Sequence, residues 1–446
     1  MSPRAAKKKK ESLPDLLRAG RIDEFVKLAL DMEPVDLADV LSSLDDDERL
    51  TAVRALPPEV SGEALTEMPE DEHAEDTLAA LEPEQAADIV DEMADDDAAD
   101  LLQDLDPEEQ ERILSEVEDR TEVDRLLAYD EESAGGLMTS HVVTVLDSAT
   151  AGQAIEAIRR QAEEMEGFYQ VFVVDTGHHL IGLLPLKDLV TSPPDRSIRE
   201  FMETADITVT PDRDQEEVAR LMARYNVPSV PVVDATGVLL GRVTFDDVID
   251  VVEAETTEDL LQFGGVSADE ELSAPWTDAV RSRLPWLYVN LLTAFAAASV
   301  VLVFSDAIQE LKWLAVFMPI IAGMGGNAGT QALAVSVRRI ALGQVPAGDE
   351  IGIVGKEMLV GLVNGLASAL VAGGIGWMAA GPEFGGVVAL AMVANLGVAG
   401  FAGAFVPLFL ERLRIDPAIA SSVFVTTFTD MCGFFLLLGM ATHFLL

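Results

Sequence analysis

AIASSVFVTTFTDMCGFFLLLGMATHFLL, residues 418 to 446, reads as a membrane-crossing helix with one carboxylate, Asp430, near its middle. Ser422, Thr426 and Asp430 follow at four-residue steps, which places two hydroxyls and the carboxylate on one helix face. Hydroxyls in membrane helices commonly bond back to their own backbone, so Thr427 and Thr429 beside the stripe add little. Asp430 carries the weight. An ionisable group is costly in a bilayer and marks ion or proton paths, and no Lys, Arg or His stands at comparable depth to pair with it.

Working toward the N-terminus, four more apolar stretches are long enough to cross the hydrocarbon core: Leu284–Phe304, Trp313–Val337, Met358–Ala380 and Phe384–Leu410. Five crossings put the termini on opposite sides. Arg281, Arg283, Arg338, Arg339, Lys356, Arg412 and Arg414 flank the spans on one side and Lys312 on the other, which predicts a cytoplasmic N-terminus and an external C-terminus in a cell membrane. The second span holds Pro319, Gly323, Gly325, Gly326, Asn327, Gly329 and Gln331. Small residues allow close helix packing. The Asn and Gln favour a second reading, an opened helix whose carbonyls line a water-filled path.

The region before Leu284 is a different material. It holds 69 of the 78 acidic residues and 24 of the 30 Lys and Arg, a formal charge of −45. Such an excess excludes nucleic acid as a partner, because phosphate binding needs clustered bases. Two readings remain and are compatible: adaptation to a salt-rich, halophilic cytoplasm, and carboxylates that bind divalent cations. Cys432 is the sole cysteine, so neither an intramolecular disulfide nor a Cys-rich metal site is possible. His73, His141, His178, His179 and His443 have no helical metal-ligand spacing. MSPRAAKKKK at the N-terminus has no apolar run behind it, so no secretory signal is expected.

Large apolar residues recur at Leu44, Leu56, Met68, Leu81, Met93 and Leu105, in steps of 12, 12, 13, 12 and 12. With Pro57, Pro69, Pro83 and Pro107 just behind them, the period predicts stacked helices of about two turns, a small solenoid. A second duplication follows at an offset of 59: Val-Val-Asp at 173 to 175, Gly182 and Asp188 return as 232 to 234, Gly241 and Asp247. Each copy reads as strand, turn, strand, helix, preceded by an amphipathic helix (Ala151 to Glu164; Asp214 to Tyr225). Over about residues 130 to 253 this resembles a tandem pair of cystathionine-β-synthase (CBS) domains. That resemblance implies a regulatory module that often dimerises and often binds an adenosine nucleotide such as ATP, with Asp188, Thr244 and Asp247 as candidate contacts. Pro185 stands where the second copy has Thr244. From Phe245 to Leu261 runs an acidic helix with Val248, Val251, Val252 and Leu260 as its apolar stripe.

The runs PIIAGMGGNAGTQ (Pro319 to Gln331) and DPAIASSVFVTTFTD (Asp416 to Asp430) followed by Gly433, in this domain order, resemble the MgtE family of magnesium channels. Ser422 and Val423 occupy positions where the family commonly has a small polar or Gly residue and then Pro, so the departure is the loss of that proline near the start of the fifth helix. The resemblance implies a homodimer in the lipid bilayer, a pore on the dimer axis and a plug helix linking cytosolic domains to it. It assigns Asp430, Thr426, Ser422, Gly325, Gly326 and Asn327 to the pore. For gating by cytosolic Mg²⁺ it points to Asp247, Asp250, Glu255, Glu258, Asp259, Asp416, Asp91 and Asp95. The expected fold is therefore multidomain: an all-α solenoid (13–128), an α/β tandem CBS pair (129–253, as 129–199 and 200–253), a plug helix (245–267) and an α-helical membrane domain of five transmembrane helices (284–446). Competing readings are a carrier of Mn²⁺ or Co²⁺ and a membrane-anchored sensor without transport. No nucleophile, base and orienting group assemble from these motifs, so no enzyme is expected.

Overall fold

The computed structural model describes residues 13–69, 72–118, 120–161, 170–267, 270, 275–345, 348–415 and 417–446, with side chains from 422 onward in the last segment. It contains two compact units, Met1–Ala254 and Glu255–Leu446.

In the first unit ten short helices, among the described residues, run from α1 (Leu13–Arg18) to α10 (Thr121–Leu126). Proline opens α3 (Pro34–Ser42), α5 (Pro58–Thr66), α7 (Pro83–Val90) and α9 (Pro107–Leu114), where its missing N–H would have had no partner. The twelve-residue marks fall just after helix ends. Leu44, Leu56, Met68, Leu81 and Leu105 are buried there, and Met93 packs against the same core. Each such side chain contributes about 1.5–3 kcal/mol of burial.

One solenoid helix, α8 (Asp95–Gln103), serves two cores. Its Ala98 and Leu102 face the solenoid, while Ala99 joins Val230, Val243, Val248 and Val251 in the core of the second CBS copy. The first copy builds a sheet from β1 (Thr144–Leu146), β2 (Val171–Val174), β3 (Leu180–Leu184) and β4 (Glu203–Thr204), with α11 (Ala151–Gln161) and α12 (Leu186–Thr191). The second has α13 (Gln215–Tyr225) and a hairpin of β5 (Ser229–Val233) and β6 (Leu239–Thr244). The duplication holds to the residue. Val173 pairs with Gly182 and Val232 with Gly241, and in both copies the register shifts one residue later. Both glycines are needed for close approach: a Cβ on Gly182 would lie 2.3 Å from the Glu203 carbonyl oxygen, and one on Gly241 2.5 Å from that of Thr139.

The acidic helix α14 (Phe245–Phe263) begins in the first unit and ends in the second. Its expected apolar stripe is corrected here. Val248 and Val251 are buried in the second CBS core, but Val252 and Leu260 are exposed, because packing engages only the first two turns.

In the second unit the long helices are α15 (Trp276–Val303), α17 (Trp313–Ala341), α18 (Glu350–Ala380), α19 (Pro382–Arg412) and α20 (Pro417–Phe444), with a short α16 (Ser305–Glu310). Among the described residues four are long and apolar enough to cross a membrane: α15, α18, α19 and α20 from Ser422. The fifth, α17, has 29 residues, and its Gly, Asn and Gln lower its mean hydropathy. It packs with α19 and α20 all the same. The expectation of an opened second span is overturned, since α17 is continuous through Pro319 and every glycine after it. Two of its glycines serve packing: Gly325 and Gly329 are buried against α19 and α20.

Candidate ion-binding sites

The polar stripe of α20 is built as its spacing predicts. Thr426 Oγ1 donates to the Ser422 carbonyl oxygen at 2.8 Å, and Thr429 Oγ1 to that of Thr426 at 2.9 Å. A hydroxyl that has given its proton to the backbone presents only lone pairs outward, so Thr426 can accept from the water shell of a cation. Thr426 is exposed, Ser422 and Asp430 are half-buried, and Thr429 is fully buried. Asp430 opens on a groove of about 630 Å³ whose other lining residues include Ala294, Ala297, Val301, Ser305 and Phe434. Among the described residues no cationic side chain forms a salt bridge with it.

On α17 the three expected pore residues separate. Gly325 is buried under Asn395 of α19, whereas Gly326 has open space at its Cβ position and Asn327 is exposed. Gly323, Asn327 and Gln331, at four-residue steps, form an exposed polar face on a membrane-length helix.

The first unit contains a second concentration of charge, where α8 meets the first turn of α14. Asp247 accepts from the Thr244 hydroxyl at 2.5 Å and from the Thr244 amide at 3.2 Å, and its carboxylate faces α8. Asp96, Asp97 and Asp247 are half-buried, and Asp100 is exposed. Desolvation by the surrounding protein, followed by repulsion from Asp247 and Glu67, pushes the Asp97 carboxyl up to about 7. For Asp100 desolvation leads again, with Asp97, Glu131 and Asp247 behind it, and the carboxyl rises to about 8. Burial and the neighbouring Asp97 and Asp247 also push Asp96 well up, and burial raises Asp247 against the pull of its Thr244 bond. Asp96 Oδ1 is buried with no hydrogen-bond partner among the described residues.

Asp95, one residue before this group, behaves in the opposite way. Burial alone would raise its carboxyl, but hydrogen bonds from His141, Ser140 and Thr139 win and hold it below the usual carboxylate range. The distances are 3.2, 3.0 and 2.9 Å, so Asp95 ties the solenoid to the segment leading into the CBS pair. Asp91 is exposed at the C-terminus of α7 and accepts from the Glu118 amide, away from the cluster. Asp250 is exposed, with its carboxyl raised by desolvation and by Glu253 and Asp246. Glu255, Glu258 and Asp259 are half-buried farther along α14, and Gln262 donates to Glu258. Asp416 lies outside the described residues. Asp188 sits on α12 of the first copy, half-buried, with Pro185 at the helix N-cap in place of a hydroxyl.

Among the described residues no three His, Cys, Asp or Glu side chains converge tightly enough to hold a bare ion. Mg²⁺ does not require that. It keeps several of its waters and is commonly bound through one or two carboxylates.

The MgtE intracellular N domain matches residues 32–132, CBS domains match 134–194 and 198–254, and the MgtE divalent cation transporter domain matches 318–440. The magnesium transporter MgtE of Thermus thermophilus is 37% identical over 320 residues, covering 70% of each chain. That of Enterococcus faecalis is 35% identical over 322 residues, 72% of this chain and 70% of the relative. The chain belongs to the MgtE family. Two solved structures resemble this chain over about half its length. The soluble part of a magnesium transporter is 33% identical with a TM-score of 0.52, covering 56% of this chain and 99% of that one. The cytosolic domain of the Mg²⁺ channel MgtE in complex with ATP is 35% identical with a TM-score of 0.51, covering 54% and 99%.

Membership of MgtE makes the chain a multi-pass membrane protein and sharpens what the sequence left unseen. Asp96, Asp97 and Asp100 carry the strained charge of the α8 junction, and none of them stands out in a sequence with acids nearly everywhere. The available signal was the run DDD at 95 to 97 with Asp100 one turn on, at the start of a helix whose N-terminal end favours negative charge.

Proposed function

We propose that the chain carries Mg²⁺ across the cell membrane as a homodimeric channel, with the cytosolic domains closing it when cytosolic Mg²⁺ is high. One observation carries the transport half: Asp430 is a carboxylate in a membrane-spanning helix, in line with Ser422 and with the exposed Thr426 hydroxyl oxygen, and without a cationic partner among the described residues. A lone carboxylate is expensive in a membrane unless water or a cation reaches it. Two copies across a two-fold axis would offer a ring of oxygens that holds hydrated Mg²⁺ by its waters. Ca²⁺ favours six to eight direct oxygens, which one carboxylate per subunit does not supply. The exposed Gly323, Asn327 and Gln331 face of α17 suits the wall of the same path.

The gating half rests on the junction of α8 with α14. Carboxylates raised by one another's charge bind a divalent cation more favourably together than apart, so Mg²⁺ that bridges Asp247 to Asp96, Asp97 or Asp100 stabilises the joined state. By linkage, an ion that prefers the joined state shifts the population toward it. Helix α14 is the element that transmits this to the membrane domain, with Asp250, Glu255, Glu258, Asp259 and Asp416 as further ligands. ATP at the CBS pair, near Asp188, fits the relative solved with ATP. The N-terminal region is cytoplasmic, and no catalysis is required of any residue.

Purified protein in sealed liposomes containing a Mg²⁺ dye tests the reading. Wild type is expected to admit Mg²⁺, and Asp430→Ala is expected not to. Folded wild type that admits Co²⁺ or Mn²⁺ but no Mg²⁺ reassigns the ion, and one that admits none of them leaves only a membrane-held sensor.

A further inference from the structure

Asn395 is the most conspicuous polar residue of the membrane unit that neither site uses. It lies on α19, fully buried, where three helices converge. Its Nδ2 donates to the Ile321 carbonyl oxygen of α17 at 2.9 Å. A carbonyl only accepts, so this bond fixes which end of the amide is nitrogen. The other end, Oδ1, is buried without a partner among the described residues. A Cβ on Gly325 of α17 would lie 2.2 Å from Nδ2, and one on Gly433 of α20 would lie 2.9 Å from Nδ2 and 3.3 Å from Oδ1. Two helices thus give up side chains to admit one amide.

Packing alone does not ask for this arrangement. An interhelical hydrogen bond in a membrane protein adds little to stability on average. An orphaned buried carbonyl costs more than such a bond returns, and a leucine would fill the volume with neither term. The amide therefore lowers stability or leaves it unchanged, and its value lies in placement. Thr429, which closes the other side of Gly325, and Gly433 bracket Asp430 on α20. A wedge held between Gly325 and Gly433 sets the spacing and rotation of α17 against α20, and with them the direction in which Asp430 projects.

We infer that Asn395 is a positioning residue for ion binding: it pins α17 to α20 through the Ile321 carbonyl and the Gly433 surface, and so fixes Asp430 for a hydrated divalent cation. The inference rests on the proposed channel reading. A displacement of about 1 Å at a binding group is enough to cost an order of magnitude or more.

The test is Mg²⁺ uptake by full-length protein in liposomes, for wild type, Asp430→Ala, Asn395→Leu and Gly433→Ala, each first shown to be folded and monodisperse. The quantities read are the half-saturating Mg²⁺ concentration and the Mg²⁺/Ca²⁺ ratio. A merely structural role reduces the amount of working protein and moves neither. Asn395→Leu is expected to keep its thermal midpoint, raise the half-saturating concentration roughly tenfold and narrow the ion ratio. Wild-type values for both in folded Asn395→Leu overturn the inference. If that variant does not fold, Gly433→Ala decides, because its Cβ displaces the amide without removing it: a comparable rise supports the pin and wild-type values overturn it. Silent wild type would instead sink the channel reading, which the Asp430→Ala control separates from failure of the pin.

Discussion

The two units use carboxylates in opposite ways. In the membrane unit Asp430 stands apart from other charges, and its environment is an apolar groove with a few hydroxyls. In the first unit Asp96, Asp97, Asp100 and Asp247 crowd together: burial and the charge of Asp247 raise Asp96, Asp97 and Asp100, while burial, Asp246 and Asp250 raise Asp247. Under the proposed reading the contrast separates conduction from control. A solitary charge attracts an ion yet lets it leave, as a path requires. A crowd of like charges holds a divalent ion tightly and changes conformation when the ion departs, as a switch requires.

The largest effect expected to sharpen this contrast is at the solitary site. Asp430→Asn keeps the shape and removes the charge, and loss of one member of a close charge pair costs about 2–5 kcal/mol, so Mg²⁺ flux should fall at least roughly thirtyfold. Flux within a factor of two of wild type would erase the distinction between the regions.

The crowded site should instead respond to protons. Carboxyls raised in the folded state stabilise it fully below their ordinary range, and that contribution is lost as pH rises through their folded values, about 7 for Asp97 and about 8 for Asp100. Hydrogen-exchange protection of α8 without divalent ions, corrected for intrinsic exchange, should therefore drop at least about tenfold between about pH 6 and about pH 9, and millimolar Mg²⁺ should restore it. Protection that is flat with pH, or indifferent to Mg²⁺, would break the crowding argument. The smallest effect is expected at Asp91. Its bond to the Glu118 amide is local, so Asp91→Ala should cost about 1 kcal/mol of stability and leave Mg²⁺-dependent closure unchanged.

Much of the architecture was legible because it repeats. The twelve-residue marks are the buried residues after successive helices, and the offset of 59 returns the same strand register, bulge and glycine in both CBS copies. The stripe of Ser422, Thr426 and Asp430 was legible because helical periodicity alone sets it. Four features were hidden by tertiary contact. The meeting of Asp97 and Asp247 joins residues far apart in sequence, and no local pattern announces it. The continuity of α17 through Pro319 depends on neighbours that fill against its glycines, so a composition that suggests a break belongs to an intact helix. Asn395 reads in the sequence as one polar residue tolerated in an apolar run, and only the convergence of Ile321, Gly325 and Gly433 on its amide gives it a role. The separation of Val252 and Leu260 from the buried Val248 and Val251 has the same origin, since the partner surface ends before the helix does.

The central claim is that the crowded carboxylates sense the ion that the solitary one conducts. Flux through full-length protein in excised liposome patches, with Mg²⁺ at the cytosolic face raised at constant ionic strength, tests it directly on wild type and on Asp97→Asn/Asp247→Asn. Screening shortens the Debye length to about 3 Å in molar salt, so KCl alone should not close wild type. The account predicts closure of wild type by Mg²⁺ and a rise of about tenfold or more in the closing concentration for the double variant, with open-state flux retained. Closure of the double variant at the wild-type concentration, or closure of wild type by KCl, would contradict it.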